Sequence, residues 1–155
     1  MAVNPRLRRF LAKHRVLAVD TMVFAYHLQG HPRYLPAARG ILRTWEKGWR
    51  RGVTSVLSLS EILVKPLRDG DAAAAEDCRR FLTTFPNLRL LEVTRGIAKI
   101  AARLRAAHGL SLPDGIQMAT ALAAGATGFI SKDPAFKRVP DVEVLILDEV
   151  APARH

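Results

Sequence analysis

The sequence predicts an α/β fold, a three-layer α/β/α sandwich with a central, mostly parallel sheet of about five strands. Short β-branched apolar runs alternate along the chain with longer stretches whose apolar residues recur at helical spacing. This alternation is typical of a parallel sheet covered by helices. With 155 residues, 49% of them apolar, the chain is long enough for one domain with a real core. We therefore expect residues 1–155 to form a single domain, with residues 1–15 as a basic N-terminal extension.

The elements are expected in a regular order. The first strand is predicted at 16–20, with a short helix at 21–28 after it. A long amphipathic helix is predicted at 34–51, and its recurring apolar residues place both tryptophans in the core rather than against nucleic-acid bases. These residues are Ala38, Ile41, Leu42, Trp45 and Trp49. Further strands are predicted at 53–57, 88–93, 126–130 and 142–147, and further helices at 58–68, 71–84, 94–108 and 112–124.

Positive charge is concentrated in the first third of the chain. The formal net charge is +10, and residues 1–51 carry eleven Lys and Arg against two acids. Such an asymmetry suits a surface that binds a polyphosphate, although a solvated surface or an acidic partner would also account for it. On the long predicted helix, one face forms a basic ridge of about 17 Å. This ridge supplies the candidate RNA-binding residues Arg39, Arg43, Lys47 and Arg50.

Several features favour a cytoplasmic protein without a membrane segment. The single cysteine, Cys78, cannot form an intramolecular disulfide, which favours a reducing compartment. The basic N-terminus resembles the start of a signal peptide, but Asp20 interrupts the apolar stretch and no cleavage site follows it. No apolar run approaches the roughly 18 to 20 residues that span a bilayer.

Four of the fourteen acidic residues stand where a ligand site is expected. Asp20 closes the first strand, and Glu61 lies in the first turn after the second. Asp114 begins the helix from Leu112, and Asp133 follows the fourth strand. Ligands of open parallel sheets bind in the crevice beyond the carboxyl ends of the strands. These four acids are therefore candidates for one shared site.

Helix capping is the alternative role for each acid taken alone. Ser58 with Glu61, and Ser111 with Asp114, match a capping box, while Asp20 and Asp133 could cap the turns that follow them. Taken together, several carboxylates at one sheet edge repel one another unless a pKa rises or a cation lies among them. Oxygen ligands without paired His or Cys favour Mg²⁺ or Mn²⁺ over zinc.

The stretches that carry these acids resemble the PIN domain family. They are spread over nearly the whole chain. The most specific is the stretch with Asp114, in which the acid opens a helix that continues as an ATAL run before a glycine. The stretches are VLAVDTMVFAY, TSVLSLSEIL, HGLSLPDGIQMATALAAGA and FISKDPAFKRV.

The resemblance implies a Mg²⁺- or Mn²⁺-dependent endoribonuclease that hydrolyses RNA phosphodiester bonds with a metal-activated water. By this resemblance, Asp20, Glu61, Asp114 and Asp133 are both the metal ligands and the catalytic acids, and Ser131 is their hydroxyl neighbour. Many small members of the family resemble the toxin half of VapBC-type type II toxin-antitoxin pairs. The resemblance therefore also implies a homodimer and a small antitoxin partner.

Two other functions remain open at this point. One is a non-catalytic RNA-binding or interaction module of the same fold. The other is an aspartate-dependent phosphatase, because an Asp at the end of a first strand also occurs in such enzymes. Met22 stands where the second Asp of the phosphatase pattern would be, which disfavours that reading. A metal held by His27 and His31 is disfavoured because Gly30 and Pro32 interrupt the helix between and beside them.

Overall fold

Five parallel strands form the central sheet of the computed structural model, which describes residues 3–153. The strands are β1 (Val16–Val19), β2 (Arg51–Ser55), β3 (Leu88–Leu91), β4 (Gly128–Ser131) and β5 (Glu143–Ile146). Their order across the sheet is β3-β2-β1-β4-β5, and every neighbouring pair is parallel. The strand order reverses between β1 and β4, and such a switch point is where α/β sheets open a ligand crevice. The predicted parallel sheet is confirmed.

Helices cover both faces of the sheet. They are α1 (Pro5–Lys13), α2 (Thr21–Gln29), α3 (Leu35–Glu46), α4 (Leu57–Arg68), α5 (Ala72–Thr84), α6 (Arg95–His108) and α7 (Leu112–Ala123), with 3₁₀ turns at Pro134–Arg138 and Leu147–Glu149. One core lies around Phe24 and Trp45 beneath α1 to α5, and the other lies around Met118, Phe129 and Phe136 beneath α6 and α7. The predicted three-layer sandwich is therefore confirmed. No helix within residues 3–153 has the length and apolar character of a membrane span.

Most of the expected N-terminal extension is a helix that contributes to the core. The side chain of Asn4 caps α1 by accepting from the backbone N–H groups of Arg6 and Leu7 at 2.8 and 3.4 Å. Leu7, Phe10 and Leu11 occur at helical spacing and are buried, so one face of α1 packs inward. Residues 1 and 2 of the expected extension, and residues 154 and 155 of the expected domain, lie outside the described residues.

The predicted helix at 34–51 ends five residues early, and this corrects two expectations. α3 stops at Glu46, and Gly48 then turns the chain with a φ of +75°. Trp45 is fully buried, but Trp49 has left the apolar face and is 58% exposed. The basic ridge is also shorter than predicted, because Lys47 and Arg50 lie beyond the helix and only Arg39 and Arg43 remain on it.

Small shifts in two strands change the positions of site residues. β2 ends at Ser55 rather than at 57, so α4 begins at Leu57 and Glu61 lies in its second turn rather than its first. The predicted capping box of Ser58 and Glu61 is wrong, because no side chain caps α4 and the Ser58 hydroxyl is buried inside the protein. β4 runs to Ser131 rather than ending at 130. Ser131 is therefore the last residue of a central strand.

Candidate functional site

The four acids line one pocket at the carboxyl ends of the strands. The pocket has a volume of about 540 Å³. Asp20 follows β1 and caps α2, Glu61 projects from α4, Asp114 lies in the first turn of α7, and Asp133 follows β4. Parallel strands bring these positions to one edge of the sheet although the residues are far apart in the chain.

Asp20 is held by two different groups. Its Oδ1 accepts a hydrogen bond from the backbone N–H of Met22 at 3.2 Å, and its Oδ2 accepts one from the Ser131 hydroxyl at 2.5 Å. The oxygen of Ser131, which is fully buried, also accepts from the backbone N–H of Asp133 at 2.9 Å. Asp20 therefore caps a helix and lines the pocket at the same time, and Ser131 ties it to the turn that carries Asp133.

The electrostatics of the pocket disfavour negative charge on Asp20. Burial raises the pKa of Asp20 from its ordinary value of 3.8 to about 7, even though the hydrogen bonds from Ser131 and Met22 lower it. The neighbouring charges of Asp114 and Glu61 raise it further. The pKa of Asp114 is also raised, chiefly by burial and also by the charge of Asp133. A cation in this pocket would relieve both effects.

Glu61 is positioned by a buried hydroxyl on the neighbouring helix. The Thr21 hydroxyl donates to Glu61 Oε1 at 2.8 Å, and its oxygen lies 3.0 Å from Ser58 Oγ. Ser58 Oγ accepts from Gln117 Nε2 at 3.0 Å and lies 2.8 Å from Thr54 Oγ1. This polar network joins α2, α4, α7 and β2 directly behind the pocket.

The sequence pattern does not reveal that these polar side chains form a network. Ser58, Thr54 and Gln117 are uncharged polar residues within apolar stretches, and all three are buried. Their spacing in the chain carries no signal that they meet. The one local signal in the sequence is Thr21, a hydroxyl residue that directly follows Asp20 and begins α2.

The other two acids combine a capping contact with a place in the pocket. The Ser111 hydroxyl caps α7 by accepting from the backbone N–H of Asp114 at 3.3 Å. Asp133 Oδ1 caps the following 3₁₀ turn by accepting from the backbone N–H of Ala135 at 2.9 Å. The predicted capping by Asp20 and Asp133 is thus observed, whereas at Ser111 and Asp114 only the serine half of the predicted capping box is formed. It leaves a carboxylate oxygen of each acid without a backbone partner in the hydrogen bonds of the described chain.

Two lysines, Lys65 and Lys132, line the pocket beside the acids. Lys132 Nζ donates to Asp148 Oδ2 at 2.8 Å. Asp148 also accepts from Arg33 at 2.6 Å and from the Tyr34 hydroxyl. The bonds from Lys132 and Tyr34 hold the pKa of Asp148 down at about 2. Asp148 therefore keeps the ammonium group of Lys132 at the rim of the pocket.

The side chains that could bind a metal in the pocket offer oxygen atoms, and His27 and His31 have partners outside it. His27 stacks on Phe81 with 5.4 Å between ring centroids, and His31 Nδ1 accepts from the backbone N–H of Arg33 at 3.1 Å. Within residues 3–153, no group of three or more His, Cys, Asp or Glu side chains is close enough together to hold a metal ion as the side chains stand. The four carboxylates share the pocket without closing on a common point. Their chemistry fits a hard, oxygen-preferring cation such as Mg²⁺ or Mn²⁺.

A family comparison agrees with this arrangement. The sequence model of the PIN domain family matches residues 17–142, which include all four acids. The chain belongs to the PIN domain family. The match begins at β1, so α1 of this PIN domain precedes the part of the chain that the family model describes. Among curated proteins, none matches this PIN domain at a significant level.

Solved structures of toxin-antitoxin proteins share the fold of this PIN domain. A toxin-antitoxin complex from Klebsiella pneumoniae is similar with a TM-score of 0.66 and 20% identity, over 84% of this chain and 97% of that chain. VapC20 of Mycobacterium tuberculosis, described as a toxin that cleaves the sarcin-ricin loop, has a TM-score of 0.65 and 21% identity over 83% and 98%. VapBC2 of Rickettsia felis, bound to a promoter DNA fragment, has a TM-score of 0.67 and 16% identity over 84% and 98%. At these identities, the likeness shows the fold.

Proposed function

We propose that this PIN domain is a metal-dependent endoribonuclease and the toxin component of a type II toxin-antitoxin pair. The observation that carries the proposal is the single pocket that Asp20, Glu61, Asp114 and Asp133 line together. An acidic pocket whose members repel one another, at the switch point of a parallel sheet, favours a bound cation and offers room for a phosphodiester. A metal ion with a bound water and an RNA phosphate would meet both conditions.

Asp20, Asp114 and Asp133 are the proposed principal metal ligands. When bound, Mg²⁺ or Mn²⁺ supplies Lewis-acid activation of a water molecule and of the phosphate. Asp20 offers its charge to the cation while Ser131 and the backbone of Met22 hold its two oxygens in place. Ser131 thereby acts as a positioning residue for Asp20.

Glu61 completes the proposed acidic set from the opposite helix. The Thr21 hydroxyl donates to Oε1 of Glu61 at 2.8 Å, and the Glu61 side chain lines the pocket. A carboxylate in this position can take the proton that an attacking water loses. Glu61 can also bind the cation, directly or through a water molecule.

The basic surface around α3 is the proposed contact for RNA outside the pocket. Arg39 and Arg43 are exposed on α3, and Lys47 is exposed just beyond it. Arg50 instead donates to the carbonyl oxygens of Leu11 and Ala12 at 2.6 and 3.0 Å, so it contributes positive charge while its guanidinium holds the end of α1.

A small antitoxin, a homodimer and a cytoplasmic location complete the proposal. The similar structures include toxin-antitoxin complexes, which supports a protein partner for this chain. Leu28, Val64 and Leu67 are large apolar side chains exposed on α2 and α4, at 38%, 46% and 63%. Val64 and Leu67 lie one helical turn apart on α4, and exposed large apolar side chains suit a protein interface. A free thiol and an RNA substrate both fit the cytoplasm.

The deciding experiment is an RNA cleavage assay on protein refolded away from any copurifying inhibitor. We expect wild-type protein to cleave RNA with Mn²⁺ or Mg²⁺ and to stop when the metal is chelated. Asp20→Asn and Asp114→Asn should each lower the rate by about 100-fold or more, because each removes a ligand charge. Isothermal titration with Mn²⁺ should show weaker binding to both variants.

Asp141→Asn is the matched control, because Asp141 is an exposed acid in the loop before β5 and outside the pocket. It should cleave RNA at the wild-type rate. Equal activity in wild type and Asp20→Asn would contradict the proposed site. Metal binding and RNA binding without any cleavage would instead favour the non-catalytic RNA-binding module.

A further inference from the structure

Two adjoining cavities lie along α3, away from the acidic pocket. One, of about 730 Å³, lies between α1, α3 and the turn that follows α3. The other, of about 460 Å³, continues toward the first turn of α3. Both are lined by Val3, Gly40 and Arg43, so we name them together the α3 furrow. The twelve residues of α3 give the furrow a length of about 18 Å.

Trp49 forms part of the furrow wall and is presented on a fixed turn. Its side chain is 58% exposed, but its backbone N–H donates to the Thr44 carbonyl at 2.9 Å. The guanidinium of Arg50 donates to the carbonyl oxygens of Trp49 and Leu11 at 2.8 and 2.6 Å. These bonds fasten the turn to α1. An exposed indole on a rigid turn offers a flat face on which a nucleic-acid base can stack.

The charge of the furrow is strongly positive. Arginines contribute four cations to its lining and Glu46 the single acid; the arginines are Arg8, Arg39, Arg43 and Arg50. None of the four forms a salt bridge with another residue of 3–153. Arg50 is engaged by backbone carbonyls, which leaves Arg8, Arg39 and Arg43 exposed to solvent. Exposed guanidinium groups in this number suit a row of phosphates.

We infer that the α3 furrow binds single-stranded RNA, with phosphates on Arg8, Arg39 and Arg43 and a base stacked on Trp49. This inference rests on the proposed ribonuclease function and extends it to how the substrate is held. α2 separates the furrow from the acidic pocket, since its Tyr26 lines the pocket and its His27 lines the furrow. An RNA strand that leaves the pocket therefore reaches the furrow by crossing one helix, a width of about 10 Å.

The lining favours RNA over a protein partner. An apolar peptide would leave the arginines without counter-charges, and an acidic peptide would leave the indole without a flat partner, whereas RNA supplies both bases and phosphates. Stacking on Trp49 requires an unpaired base, which favours a single strand over a duplex. Arg8 and Leu11 of the lining belong to α1, which precedes the residues that match the family. The α1 side of the furrow therefore lies outside the residues that match the family, whereas the α3 side lies within them.

The test uses fluorescence of the intact chain carrying Asp20→Asn, with metal chelated so that RNA is not cleaved. The probe is a labelled oligouridine long enough to span the furrow. Trp45 is fully buried, so quenching of tryptophan emission on titration reports Trp49. We expect quenching, and we expect Trp49→Ala to weaken binding about 10-fold, in the range found for loss of one stacking aromatic. Trp49→Phe should restore part of the affinity.

Salt dependence tests the arginines. Arg8→Gln and Arg43→Gln should each lower the slope of log affinity against log salt by about 0.7, the value for one phosphate contact on a single strand. Arg103→Gln is the control, because Arg103 is exposed on α6 in the opposite layer. It should leave the slope unchanged. Circular dichroism of every variant verifies that it is folded.

Three results would overturn the inference. They are unchanged affinity in folded Trp49→Ala, an equal loss in Arg103→Gln, and equally tight binding of polyglutamate with the same quenching, which would indicate a protein site. These outcomes are independent of catalysis. RNA cleavage by wild type without any effect of Trp49 on binding would reject the furrow alone, and Trp49-dependent binding without cleavage would reject the proposed ribonuclease alone.

Discussion

Replacement of Asp20 by Asn should stabilise the metal-free protein at alkaline pH. In the folded chain, the pKa of Asp20 is about 7 rather than 3.8. Between these values the folded state binds more protons than the unfolded state, so this carboxyl makes stability fall as pH rises through that window. Asn has nearly the same shape and no charge, and it removes this dependence.

The size of the effect follows from the difference between the two pKa values. Raising the pKa from 3.8 to about 7 corresponds to about 4 kcal/mol of unfavourable free energy for the ionised carboxyl, at about 1.4 kcal/mol per pH unit. Asp20→Asn removes this unfavourable free energy, but its amide group replaces an oxygen that accepts from Met22 or Ser131, which costs about 1 to 2 kcal/mol. We therefore expect Asp20→Asn to be more stable than wild type by about 2 kcal/mol near pH 8 and less stable than wild type near pH 4.

Urea unfolding in the presence of a chelator, followed by fluorescence of the buried Trp45, measures this difference. Mn²⁺ should then raise the unfolding midpoint of wild type and leave that of Asp20→Asn nearly unchanged, because binding to the folded state alone stabilises it. Asp141→Asn serves as the control for a general change of charge. If Asp20→Asn is less stable than wild type at every pH, Asp20 is chiefly a helix cap and the electrostatic argument for the pocket is wrong.

Two further predictions concern single contacts. In the wild type, the Ser131 hydroxyl donates to Asp20 Oδ2 at 2.5 Å and lowers the pKa of Asp20. Ser131→Ala removes this hydroxyl, so RNA cleavage should weaken and the midpoint of its pH profile should move to higher pH. An unchanged profile would reject the positioning role. Gly52→Ala would place a Cβ only 2.5 Å from Trp45 Cε2, and we expect urea unfolding to show a loss of stability of roughly 1 to 3 kcal/mol. The control is Gly96→Ala, whose added Cβ would have Thr94 Oγ1 as its nearest neighbour at 3.7 Å and which should be neutral or slightly stabilising. Equal stability of the two variants would contradict the close packing of β2 on Trp45.

The sheet and most helices could be predicted because their residues carry local, periodic signals. The alternation of buried strands with amphipathic helices fixed the number of strands and their parallel direction. Asp20 and Asp133 could be singled out because each ends an apolar run, and parallel strands must end at the same edge. The spacing of Leu7, Phe10 and Leu11 also carried a helical signal, but the positive charge of this segment hid it.

The end of α3 could not be predicted from periodicity. Trp49 stands four residues after Trp45, which is helical spacing, yet Gly48 turns the chain at a φ of +75° and β2 begins at Arg51. Trp45 then packs against Gly52, where a Cβ would have no room. This packing between two elements determines where the helix stops, and it is what leaves Trp49 on the surface.

The sequence by itself determined the layered fold, the family and the four acids that share a sheet edge. Those signals are local, because a strand, a helix and a residue at a strand end are each set by near neighbours. Only the tertiary structure decided that Thr21 holds Glu61, and only it placed Trp49 and Arg8 in the lining of one cavity. Such contacts join residues far apart in the chain, and whether they form depends on the packing of whole elements, which no local pattern encodes.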